Sequence, residues 1–172
     1  MIALEVSPAA VKPPFGGVGG TIRALVLELL AQDPVTTYAL CYRFGRWRRG
    51  NLFPPEARKA CVRVLVDPLN ALLVRGARLL HSMGVYMPRT PRVPKLVTIH
   101  DLNAVRNVAW VTASWHEKRS AKIAKAIARS DHVRTYSAFT ADEIREDYGV
   151  APERVHPVLL GVDTQRFAPP PA

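Results

Sequence analysis

Ile2-Ala3-Leu4-Glu5-Val6-Ser7-Pro8, followed by Pro13-Pro14-Phe15-Gly16-Gly17-Val18-Gly19-Gly20-Thr21, sets a short apolar strand ahead of a glycine-rich loop and a helix start. Glycines let a backbone come close to a phosphate and turn N–H groups toward it, and the helix N-terminus behind them adds partial positive charge. Gly16, Gly17, Gly19 and Gly20 suit that use as a phosphate or cleft loop. The stretch also excludes better-known uses. In a dinucleotide fingerprint Gly17 and Gly19 would match, but Ile22 takes the third glycine's place and Tyr42-Arg43 stands where an acidic partner is needed. A nucleoside-triphosphate loop needs Gly-Lys-Ser/Thr, and Gly20-Thr21 lacks the lysine. A phosphate-facing loop and a plain tight turn both stay open.

Working outward, strand and helix patterns alternate. A helix is expected from Thr21 to about Ala31, apolar nearly all round and ended by Asp33-Pro34. Strands are expected over 35–42, 62–66, 81–85, 95–99, 132–136 and 155–160, and a helix over 69–80. A further helix opens on the Ser114…Glu117 capping box with Ala121, Ile123, Ala124 and Ile127 inward. Another opens on Thr140…Glu143 and stops at Gly149. Such alternation predicts an α/β fold, a parallel sheet with helices on both faces. Ligands of such sheets bind outside the carboxyl ends of the strands. The glycine loop, His100-Asp101 and Ser137–Thr140 all fall at those ends.

The 172 residues suit one domain, expected over 1–167, with 168–172 (Ala-Pro-Pro-Pro-Ala) as a linker-like tail. Apolar residues make up 48%, enough for a core. No apolar run reaches the length of a membrane span and no signal peptide is read, so cytoplasm is the expectation. Cys41 and Cys61 sit in strand-like runs and read as buried free thiols. No spacing suggests a metal site, and no cofactor is expected.

The net charge of +10 draws anions. Arg43, Arg46, Trp47, Arg48 and Arg49 lie in one short segment, read either as a solvated basic loop or as a contact with anionic membrane. Nucleic acid fits the charge, but no aromatic-laced RNA-binding strand accompanies it.

Four stretches together resemble a known family: Gly16-Gly17-Val18-Gly19; Val97-Thr98-Ile99-His100-Asp101; Ser137-Ala138-Phe139-Thr140-Ala141-Asp142-Glu143-Ile144; and Val155 through Gly161-Val162-Asp163-Thr164-Gln165-Arg166-Phe167. The chain is similar to the N-terminal domain of retaining glycosyltransferases of the GT-B fold, group 1 or family 4 type. The resemblance implies a Rossmann-like acceptor-side half, facing across a cleft a donor-binding half that has no counterpart here.

By that resemblance Gly17 and Gly19 face the donor diphosphate or the acceptor, and His100 meets the transferring sugar as the catalytic-site residue. Asp101, Ser137 and Thr140 are candidate acceptor contacts; helix capping is the other reading of all three. Arg134, in a strand where an apolar residue is usual, implies an edge position or a ligand-facing arginine. The implied partners are a nucleotide-sugar donor held by a C-terminal domain, a sugar or lipid-linked acceptor, and an anionic membrane surface met peripherally. Little or no activity is expected of this chain alone. The rival readings are a non-catalytic or excised module that self-associates or pairs with a separate donor domain, and a basic nucleic-acid binder.

Overall fold

The computed structural model describes residues 1–11, 16–46, 57, 69–70, 74–90, 93–164 and 167–168, and the backbone of 61–65. Seven strands form one sheet: β1 (Ile2–Glu5), β2 (Tyr38–Arg43), β3 (Cys61–Leu65), β4 (Leu79–Ser82), β5 (Lys95–Thr98), β6 (His132–Thr135) and β7 (Val155–Pro157). Their order is β3-β2-β1-β4-β5-β6-β7 and every pairing is parallel. The chain builds outward from β1 in one direction, then returns and builds the other way from β4. Between β1 and β4 the order reverses, which makes that gap the crevice where open α/β sheets take ligands.

Side-chain alternation divides the core. Ala3 and Leu80 face one side of the sheet, with Ile123, Ala126 and Ile127 of α3 (Ala113–Ala128) and Ala141 and Ile144 of α4 (Ala138–Tyr148). α2 is a single turn, Asn103–Arg106. Leu4, Leu40 and Tyr42 face the other side, with Ile22 and Val26 of α1 (Gly17–Gln32). Each fully buried aliphatic chain here contributes on the order of 2 kcal/mol of transfer free energy. The α/β sheet with helices on both faces is as expected.

Several local expectations change. α1 begins at Gly17, not Thr21, so Gly17, Gly19 and Gly20 form its first turn and only Gly16 stays extended as the cap. The helix expected over 69–80 does not reach its end: Gly76 takes φ +80, a left-handed conformation that stops a helix, and β4 starts at Leu79. α3 is capped by Thr112, whose side chain accepts from the Trp115 amide, not by Ser114. Its inner face is Ile123, Ala126 and Ile127, while Ala121 and Ala124 are exposed. α4 is capped by Ser137, not Thr140, and Glu143 pairs with Arg106 instead of a backbone amide. Gly149 closes α4 at φ +61, as expected. Arg134 lies on β6, an interior strand between β5 and β7, so the edge position falls.

Candidate functional site

The strand ends converge on a cleft of about 700 Å³ beside the reversal of strand order. Its floor is fixed by one tight contact. Gly84, just past β4, packs so closely on Pro8, just past β1, that a Cβ at 84 would fall 2.8 Å from the Pro8 ring. Val18 contributes from the first turn of α1. At Gly17 and Gly20 an added Cβ would meet nothing within 4 Å, so this helix start is open on its outer side.

His100 lines the cleft two residues past β5. Its Nε2 is 3.0 Å from the Met83 carbonyl, and its ring meets Tyr136 edge-on at 5.1 Å. Burial lowers its pKa from the ordinary value, with Arg134 and Arg119 adding to that and Met83 and Asp101 opposing it. Above its depressed pKa the ring is neutral. A carbonyl only accepts, so Nε2 carries the proton and Nδ1 keeps its lone pair as an acceptor. Arg134 holds its guanidinium 4.7 Å from the Tyr136 ring centre, so Tyr136 is braced between Arg134 and His100.

Glu5, at the end of β1, has no solvent exposure. One oxygen accepts from the Ser7 amide at 3.3 Å and lies 3.7 Å from Arg43; the other has no hydrogen-bond partner among the described residues. Burial raises its pKa to about 7, against the lowering pull of Ser7 and Arg43. Arg43 in turn lies over the Tyr86 ring at 5.1 Å and lines the cleft.

The charge of the wall is one-sided. Arg43 and Arg46 come from the end of β2 and the turn after it, and Arg89 from the segment after β4. Arg119, Lys122, Lys125 and Arg129 come from α3 and its end. No carboxylate is among the described lining residues. Acidic residues gather elsewhere: Glu143, Glu146 and Asp147 of α4 all lie within salt-bridge distance of Arg106.

The cleft therefore unites His100, Arg43 and Arg46 with the start of α1. Asp101 is exposed and accepts from the Asn103 amide at 3.1 Å, a turn contact. Ser137 and Thr140 bond to one another at the start of α4. None of these three is among the residues lining the cleft. Trp47, Arg48 and Arg49 lie outside the described residues. Cys41 is buried, its thiol donating to the Ala39 carbonyl at 3.6 Å. Among the described residues no helix is long and apolar enough to cross a membrane, and no group of three His, Cys, Asp or Glu could hold a metal.

Sequence reasoning missed Glu5, Gly84, Tyr86, Arg89 and the cations of α3. The last carried a readable signal: Arg119, Lys122, Lys125 and Arg129 recur at three- and four-residue spacing, which puts them along one helix face.

Comparison with known proteins matches Glycosyltransferase Family 4 over residues 15–166. D-inositol 3-phosphate glycosyltransferase 1 of Catenulispora acidiphila is 36% identical over 90 residues, which are 51% of this chain and 21% of that protein. A variant of the Wall Teichoic Acid Polymerase TagF shares the fold, with TM-score 0.54 and 12% identity over 92% of this chain and 38% of that one. The chain thus spans well under two thirds of either protein's length.

Proposed function

The chain belongs to Glycosyltransferase Family 4, and from that membership we propose that it is the acceptor-side half of a retaining glycosyltransferase. The enzyme moves a sugar from a nucleotide sugar to an acceptor held in the cleft beside His100. The observation that carries this reading is the pairing of a neutral histidine with an all-cationic wall at the crevice between β1 and β4. Nδ1 of His100 accepts a hydrogen bond from a sugar hydroxyl. The first turn of α1, whose cap Gly16 brings no side-chain hydrogen bond, presents the amides of Gly17, Val18 and Gly19 to a phosphate oxygen. The diphosphate that leaves the sugar is stabilised electrostatically, chiefly by donor-side groups on a second domain. The relative from Catenulispora acidiphila, whose name gives D-inositol 3-phosphate, supports a phosphorylated acceptor. A peripheral seat on an anionic, cytoplasm-facing membrane belongs to the same reading, through Trp47, Arg48 and Arg49, which are not among the described residues lining the cleft.

A donor-side partner is favoured by a second observation. Val158, Leu159, Leu160 and Val162, just past β7, are 46%, 78%, 52% and 68% exposed, an apolar run suited to packing against another domain. Without that domain the chain is expected to turn over nucleotide sugars weakly or not at all. Self-association through the same run is the rival arrangement, and size-exclusion chromatography separates the two.

The decisive experiment joins the chain to a donor domain and compares His100→Ala with the unaltered protein. A lost hydrogen bond to a substrate hydroxyl predicts a fall in transfer of about 10-fold to 100-fold. Unchanged turnover removes His100 from the site, and brisk turnover by the isolated chain overturns its assignment as a half-enzyme.

A further inference from the structure

The cations of the cleft do not surround one point; they lead away from it. α3 starts near the carboxyl ends of the strands, where Arg119 is close enough to depress the His100 pKa. It ends by the start of β5, where Arg129 donates to the Met87 carbonyl at 3.1 Å. Arg129, the cap of α3, stands ten positions after Arg119, about 15 Å along the axis. Arg89 and Arg129 also line an adjoining open depression of about 460 Å³, where the stripe ends because Lys95 stands 3.8 Å from Asp131 and is already paired. One phosphate reaches its cationic partners at about 2.8 Å and cannot satisfy both ends of such a stripe. No carboxylate among the described residues lies within salt-bridge distance of Arg89, Arg119, Lys122, Lys125 or Arg129.

From this geometry we propose that the cleft takes an acceptor carrying a run of phosphate groups, with its reactive hydroxyl at His100 and its phosphates laid along α3 toward Arg129. The inference rests on the reading of this cleft as the acceptor side, and it adds the substrate class. The shape argues against the two other common polyanions. A planar membrane needs cations on a flat or convex face, whereas these face a concavity from β2, the segment after β4, and α3. Single-stranded RNA needs open aromatic faces for its bases, and the Tyr86 ring of the lining carries the Arg43 guanidinium instead.

The test is calorimetric binding of short-chain polyphosphate and of inorganic phosphate to the whole chain, with no sugar nucleotide present. Polyphosphate is expected to bind at least about tenfold more tightly than inorganic phosphate. Lys122→Glu with Lys125→Glu, both exposed side chains, should remove at least that advantage. Arg75→Glu with Arg78→Glu, which makes the same change in net charge away from the cleft, should leave it. Equal affinity for the two probes overturns the proposal, as does equal loss in both double variants. Loss of anionic-vesicle or RNA binding in the cleft variant, with polyphosphate binding unaffected, also overturns it. Transfer to an uncharged acceptor would sink this inference while leaving the glycosyltransferase reading intact.

Discussion

Oε1 of Glu5 stands 3.7 Å from Nε of Arg43, at the ends of two neighbouring strands, β1 and β2. The carboxylate is fully buried and the guanidinium reaches into the cleft. Arg43 is thus backed by a carboxyl group that solvent does not reach, while Tyr86 lies against its face.

That arrangement sets a pH dependence. Burial raises the Glu5 pKa from 4.5 to about 7. The folded chain therefore keeps this proton over a range where the unfolded chain has lost it. The stability this supplies is fully present below about pH 4.5 and lost as pH rises through 7, with a slope of at most about 1.4 kcal/mol per pH unit. Glu5→Gln should abolish the decline. Urea denaturation at about pH 6.5 and about pH 8, above the ordinary histidine range, reads it directly, and an unchanged difference between the two conditions would remove Glu5 as its source.

His81 works in the opposite sense. It is buried on β4, its Nε2 lies 2.8 Å from the Thr98 hydroxyl, and burial, with Arg134 and His100, lowers its pKa to about 3. The folded ring stays neutral while the unfolded one gains a proton, so stability is full above about pH 6.5 and falls as pH drops toward 3. Between about pH 4.5 and 6.5 the two groups offset one another. Glu5→Gln should therefore expose an acid-side loss, and adding His81→Gln should flatten it. A Glu5→Gln protein equally stable across that window would refute the assignment.

Gly84 and Gly20 should respond in opposite directions to the same change. Gly84→Ala forces a methyl against the Pro8 ring and should cost about 1–3 kcal/mol. Gly20→Ala adds a methyl to open space within a helix and should stabilise by about 0.5–1 kcal/mol. Thermal melts of the two variants give the comparison. A Gly84→Ala protein that melts no lower than the parent would mean that the cleft floor yields.

The helix caps differ from the pattern that the sequence suggests, and substitution separates them. Ser137→Ala should cost about 1 kcal/mol, because the Thr140 amide loses its acceptor at 3.1 Å. Ser114→Ala should stay within about 0.5 kcal/mol, since Thr112 caps α3. Equal losses in chemical denaturation would restore the Ser114 box.

The order of strands and helices was legible because periodicity is local: a buried strand or amphipathic helix shows itself within ten or so residues. The seven strands of the sheet answer to seven apolar runs, and Gly149 marked its helix end by needing φ +61. Boundaries were less legible. Ser137 and Thr140 both offer a hydroxyl near the start of α4, and the choice between them follows from where β6 releases the chain, at Thr135.

The sequence by itself determined the α/β alternation, the family-like motifs at strand ends, and the surplus of positive charge. Only the tertiary structure decided where that charge acts. Arg43 and Lys122 are far apart in the chain, and they share one cleft because β1 lies between β2 and β4 in a sheet whose order reverses there. Glu5 looked like an ordinary strand-end acid until its neighbours sealed it from water. Burial is a property of packing between distant segments, and no local pattern of residues records it.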